Sequence, residues 1–122
     1  MTKEEFDDFL KPLGLIWDWT NQPVENSAGF EIGSGWYELT KNLITDLIAL
    51  GWDKRICQVK EKFGGGRFYI DEHNEETFQR IQAWENDTFK TCEQCGSTNS
   101  VTTGGKGWEV TLCDTCRNKP KD

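Results

Sequence analysis

The sequence predicts an α+β fold, a small helix-and-hairpin body carrying a C-terminal zinc-ribbon type of module. Three observations carry that prediction. An apolar stripe at helical spacing runs from Trp36 to Leu50, two strand-like runs flank Lys62-Phe63-Gly64-Gly65-Gly66, and two C-x-x-C pairs stand near the end of the chain. The expected boundaries are residues 1–88 for the body, with the glycine-rich hairpin at 55–71, residues 89–118 for the ribbon and 119–122 for a frayed tail.

The elements follow in order. Thr2-Lys3-Glu4-Glu5 has the form of a capping box and opens a helix to about Leu10, ended by Pro12 and Gly14. Its acids suit the positive end of the helix dipole and are read as a solvated face, not a carboxylate active site. Leu15-Ile16-Trp17-Asp18-Trp19 has strand composition, as does Phe30-Glu31-Ile32, and the two runs are expected to pair across a polar loop from Asn21 to Ser27. Ser34 is the expected N-cap of the main helix. Trp36, Leu39, Thr40, Leu43, Leu47 and Leu50 form its core stripe, widened by Ile44 and Ile48, and Gly51 stands at its C-terminal cap. Arg55–Glu61 and Arg67–Asp71 read as a hairpin whose loop needs glycine at positive φ. Asn74 caps a third helix marked by Phe78, Ile81 and Trp84.

Apolar residues make up 35% of the 122, a low share, so a small ring-rich core stapled by a metal is expected. No run is apolar enough to span a membrane and the N-terminus has no signal-peptide core, which predicts a cytoplasmic protein with no membrane partner. The formal charge is −7, unevenly placed: residues 1–53 carry −7, residues 54–71 carry +3. Such acidity argues against general nucleic-acid binding, which must neutralise phosphates.

Cys92-Glu93-Gln94-Cys95-Gly96 and Cys113-Asp114-Thr115-Cys116 form two knuckles separated by a stretch long enough for a hairpin. In a reducing cytosol this pattern reads as a metal site before it reads as disulfides. Four thiolates suit one tetrahedral Zn2+ and leave no position for water, the structural rather than the catalytic type. Trp108, Val110 and Leu112 are expected to form the packed face of the second ribbon strand, opposite Glu109 and Thr111. Metal loss is expected to melt residues 90–117 and to affect the N-terminal part less. Cys57 reads as a buried small hydrophobe and His73 as a surface or capping residue.

Gln58-Val59-Lys60-Glu61-Lys62-Phe63-Gly64-Gly65-Gly66-Arg67-Phe68-Tyr69 resembles a signature, Q-V-K-E-K-F-G-G-x-R-F-Y, of a family of small uncharacterised bacterial and bacteriophage proteins in which a pair of C-x-x-C knuckles follows. Gly35-Trp36 resembles the helix opening of the same family, so the likeness spans about Gly33 to Cys116. The resemblance implies a phage or prophage setting and a zinc ribbon, and no activity.

Lys60, Lys62 and Arg67 around Gly64, Gly65 and Gly66 could offer backbone and side-chain donors to an anion, although the run is not a P-loop. Tight packing of the hairpin, with solvated cations, is the favoured alternative. No Cys–His, Ser–His–Asp or open metal site is present in the pattern, so an enzyme is not expected. The functional expectation is a small zinc-binding regulator or inhibitor, phage-encoded, that binds a host protein. The alternatives are a nucleic-acid-binding ribbon protein using the basic hairpin, with Trp108 stacking, and a binder of a small nucleotide-like anion.

Overall fold

In the computed structural model, residues 1–71, 74–105, 107 and 109–118 are described. The expectations for His73, for Trp108 and for the tail at 119–122 lie outside these residues. Helix α1 (Lys3–Leu10) is closed by the predicted capping box: the Thr2 hydroxyl accepts from Glu5 N and the Glu5 carboxylate accepts from Thr2 N. It buries Phe6 and Leu10, and the Phe6 ring stacks on Tyr37 at 4.5 Å.

The early strands pair differently from expectation. Strand β1 (Ile16–Trp17) lies between β2 (Gln22–Pro23), antiparallel, and β4 (Arg55–Ile56), parallel. Strand β3 (Phe30–Glu31) instead joins β5 (Gln58–Lys62) in parallel, and β5 pairs with β6 (Gly65–Tyr69). The segment read as a loop thus contains β2, an edge strand short enough to tolerate Pro23. Strand β1 sets Trp17 beside the buried Ile56, and β3 sets Phe30 beside the buried Val59.

Helix α2 (Tyr37–Ala49) buries Tyr37, Thr40, Leu43, Ile44 and Leu47, with Leu39 and Ile48 half-buried beside them. A 3-10 turn at Ser34–Trp36 precedes it, and Ser34 does not cap it; that hydroxyl reaches Gln94 O at 3.4 Å. Gly51 (φ 88) ends the helix as expected. Helix α3 (Glu75–Thr88), capped by Asn74, buries Thr77, Ile81, Trp84 and Thr88, while Phe78 falls on the outer side. Phe68 meets Trp52 and Trp84 edge-on at 6.1 and 6.0 Å, joining the sheet to α3. Strands β7 (Val101–Gly104) and β8 (Val110–Cys113) form the ribbon hairpin, followed by the single turn α4 (Asp114–Arg117). Among the described residues, no helix is long and apolar enough to cross a membrane.

Candidate metal centre

The first knuckle turns because Gly96 takes φ 80, letting its N–H reach Cys92 O at 2.9 Å while Cys92 N donates to Ser97 O at 2.8 Å. In the second knuckle Cys113 opens α4, and its sulfur accepts from Cys116 N at 3.5 Å. Arg117 closes the module from outside, donating to the carbonyls of Thr102 and Val110 at 2.7 and 3.2 Å and of Gly104 at 3.2 Å.

Cys92, Cys95, Cys113 and Cys116 are brought together, every sulfur within 4.8 Å of the others and the Cys95–Cys113 pair at 3.6 Å. A tetrahedral ion with thiolate bonds of about 2.3 Å would set its sulfurs about 3.8 Å apart, so the set has the right scale for one metal ion. Cys92, Cys113 and Cys116 are buried and Cys95 is exposed. Burial raises the Cys92 thiol, yet backbone hydrogen bonds from Cys113, Cys95 and Gln94 outweigh it and push it down to about 6. Cys116 is pushed up to about 12, first by burial and then by hydrogen bonding with Cys113, Cys95 and Cys92. Four thiols this close cannot all ionise beside one another unless a cation holds them, which a divalent metal does.

The ribbon is wedged into the body. Gly35 N donates to Glu93 O at 2.9 Å, and the buried Trp36 indole donates to Thr91 O at 2.8 Å. A Cβ on Gly33 would stand 2.1 Å from Glu93 O, and one on Gly35 would stand 2.1 Å from Cys92 O. Across the seam, the Thr111 hydroxyl donates to Gly64 O, while within the ribbon Thr111 and Glu93 exchange backbone and side-chain bonds at 3.0 and 3.2 Å. This corrects the expected strand face: Thr111 and Cys113 are the buried positions of β8, while Val110 and Leu112 are half-buried. The first knuckle also grips the 3-10 turn before α2, so metal loss is expected to reach residues 33–36 of the body as well as residues 90–117.

The glycine hairpin serves this seam. Its turn is Phe63-Gly64, both at positive φ (54 and 83), a type I′ geometry. Gly65 and Gly66 are not in the loop but in β6, and need no positive φ; a Cβ on Gly65 would strike the Phe89 ring at 2.3 Å and one on Gly66 the Trp84 ring at 2.4 Å. All three glycines are buried, and two of their N–H groups are used internally, Gly64 to Glu61 at 2.7 Å and Gly66 to the Thr88 hydroxyl at 2.8 Å. They therefore do not form the open cradle of donors considered above. Lys60 and Arg67 face each other across β5 and β6 and Lys62 lies near the turn, its ammonium 5.7 Å from the Phe63 ring. Arg67 leans on Glu85 at 3.9 Å. Of the aromatics, Phe68 is buried while Phe63 and Tyr69 are exposed. Cys57 is half-buried, apart from the cluster, with its thiol raised by burial.

A surface feature not predicted from sequence is a groove of ≈ 600 Å³ walled by Trp17, Trp19, Tyr69, Glu31, Gln58 and Cys57. Trp19 is 77% exposed on the turn between β1 and β2. That turn is held by Arg55, which donates to Asp18 Oδ1 at 2.7 Å and to Asn21 Oδ1 at 2.8 Å. The sequence signal was the W-D-W run itself, whose second tryptophan falls beyond the strand.

No family model, curated protein or solved structure matches the chain.

Proposed function

We propose that this is a non-enzymatic binding protein, stapled by one structural Zn2+, whose target is another protein. The observation that carries the reading is the exposed Trp19, fixed on a braced turn beside Trp17 and Tyr69. Tryptophan and tyrosine dominate the energetics of protein interfaces, and the Arg55 bonds to Asp18 and Asn21 fix the backbone that presents Trp19. The four-thiolate site supports a structural role for the metal, because it leaves no ligand position for a substrate. The net charge of −7 supports a basic partner. A phage-encoded regulator acting on a host factor is the setting that the resemblance of residues 58–69 suggests, and it rests on that resemblance alone.

A nucleic-acid reading keeps one specific observation in its favour: Lys60 and Arg67 lie on the same strand faces as Tyr69. Affinity purification from bacterial lysate, with and without nuclease, separates the two. One stoichiometric protein that survives nuclease supports the protein-binding reading. Recovery that vanishes with nuclease, and a steep salt dependence reduced by Lys60→Ala with Arg67→Ala, would replace it.

A further inference from the structure

The groove beside Trp19 has a chemistry more specific than an apolar patch. Its walls are three aromatic rings, a carboxylate, an amide and a thiol, and Glu31 is the one formally charged side chain among them. Trp17 is a rigid wall: its ring meets Phe30 at 5.5 Å and lies so close over Gly29 that a Cβ there would stand 2.4 Å from it. Trp19 is set by its turn, where Asn21 at φ 60 donates its N–H to Trp17 O at 2.8 Å. Glu31 is exposed and, among the described residues, has no ion pair, although Lys60 is its register partner. Two nearby cations are engaged elsewhere, Arg55 on Asp18 at 2.7 Å and Arg67 towards Glu85, which leaves Lys60 as the cation beside Glu31. The Cys57 thiol is raised by burial first and then by the charges of Asp18, Asp71 and Asp53.

We infer that this groove binds an arginine side chain of a protein partner, its guanidinium stacked on the faces of Trp19 and Tyr69 and paired with the Glu31 carboxylate. Guanidinium is flat, weakly hydrated and stacks on aromatic faces, whereas the lysine ammonium is compact and strongly hydrated. An anion would meet the Glu31 carboxylate, so a nucleic-acid strand fits the wall less well than a cation. The groove volume of ≈ 600 Å³ accommodates the side chain with its stem. This inference rests on the protein-binding reading and assigns the chemistry of its contact.

The test is a titration of the zinc-loaded, isotope-labelled chain with two blocked tripeptides, Gly-Arg-Gly and Gly-citrulline-Gly. Citrulline keeps the size and planarity of arginine, removes the charge and replaces two of its five N–H donors by a carbonyl oxygen. The readout is the indole N–H signals of Trp17 and Trp19. The Trp36 indole, buried and bonded to Thr91 O, serves as the silent reference and as the check that variants are folded. The expected result is that the arginine peptide moves Trp17 and Trp19 and leaves Trp36 alone, with citrulline about tenfold weaker. Trp19→Ala and Glu31→Gln, both at exposed positions, should each weaken arginine binding by about tenfold as well. Equal binding of citrulline would overturn the inference, as would silence of both indoles towards arginine or a response to oligothymidylate in its place. A partner captured equally by the wild type, Trp19→Ala and Glu31→Gln would sink this site and leave the protein-binding reading standing. Arginine binding with no partner captured by the wild type would do the reverse.

Discussion

Replacing Gly35 with alanine places a methyl group where two backbones already touch. The new Cβ would stand 2.1 Å from Cys92 O and 2.7 Å from Gly96 N, atoms of the first knuckle that no side-chain rotation can move. Ordinary contact lies at 3.4–4 Å, so the 3-10 turn before α2 and the knuckle must part by about 1 Å. That separation stretches the bonds from Gly35 N to Glu93 O and from the Trp36 indole to Thr91 O, now 2.9 and 2.8 Å. Two such bonds contribute about 1 kcal/mol each, and overpacking costs about 1–3 kcal/mol, so a loss of about 3–5 kcal/mol is expected. Because the seam joins the knuckle to the body, zinc affinity should fall too, by at least about tenfold for each 1.4 kcal/mol of the loss that the metal site shares. Urea unfolding of the zinc-loaded protein measures the first quantity, and competition with a chromogenic chelator the second. Gly104→Ala is the control, since nothing lies within 4 Å of its Cβ position, and it should stay within about 0.5 kcal/mol of wild type. Equal stability and equal zinc affinity of the two variants would refute the wedged seam.

Three further outcomes are expected. Cys113→Ser should lower zinc affinity by more than about 100-fold, since losing a ligand must exceed the loss of an outer-shell partner, and chelator competition checks it. Cys57→Ala should leave zinc content unchanged; in the loaded wild type, alkylation followed by mass spectrometry should mark Cys57 alone, slowly, because burial raises that thiol. Asp7→Asn should destabilise the protein at pH 7, because the Ser27 hydroxyl beside it and the Ser27 N–H, which reaches Asp7 Oδ1 at 2.7 Å, hold the carboxyl below its usual range. A depressed folded pKa gives stability above the unfolded value and loses it as pH falls, so the gap between variant and wild type should close below about pH 4, measured by thermal unfolding across pH.

The sequence was informative wherever a local rule decides the structure. The spacing of Cys92, Cys95, Cys113 and Cys116 announced the cluster, the Thr2/Glu5 and Asn74 caps announced two helices, and the stripe from Trp36 to Leu47 announced the core face of α2. It was silent where a distant residue decides. Three glycines in a row suggest a flexible loop, but Gly65 and Gly66 are small because Phe89 and Trp84 press on them from elsewhere in the chain. Alternation assigned Leu112 to the packed face of β8, yet Thr111 faces the body, since its hydroxyl satisfies Gly64 O across the seam. Ser34 has the composition of a cap but lies one 3-10 turn too early, turned towards Gln94. The parallel pairing of β1 with β4 depends on a crossover through α2 that no short-range pattern encodes.

The central claim is that one zinc ion organises the ribbon and, through the seam, the body. Hydrogen exchange read by mass spectrometry, on the zinc-loaded chain and after metal removal, tests it most directly. The account predicts that protection is lost together at residues 92–116, at Gly33–Trp36 and at Gly64–Arg67. Loss confined to residues 92–116, or no loss at all, would contradict it.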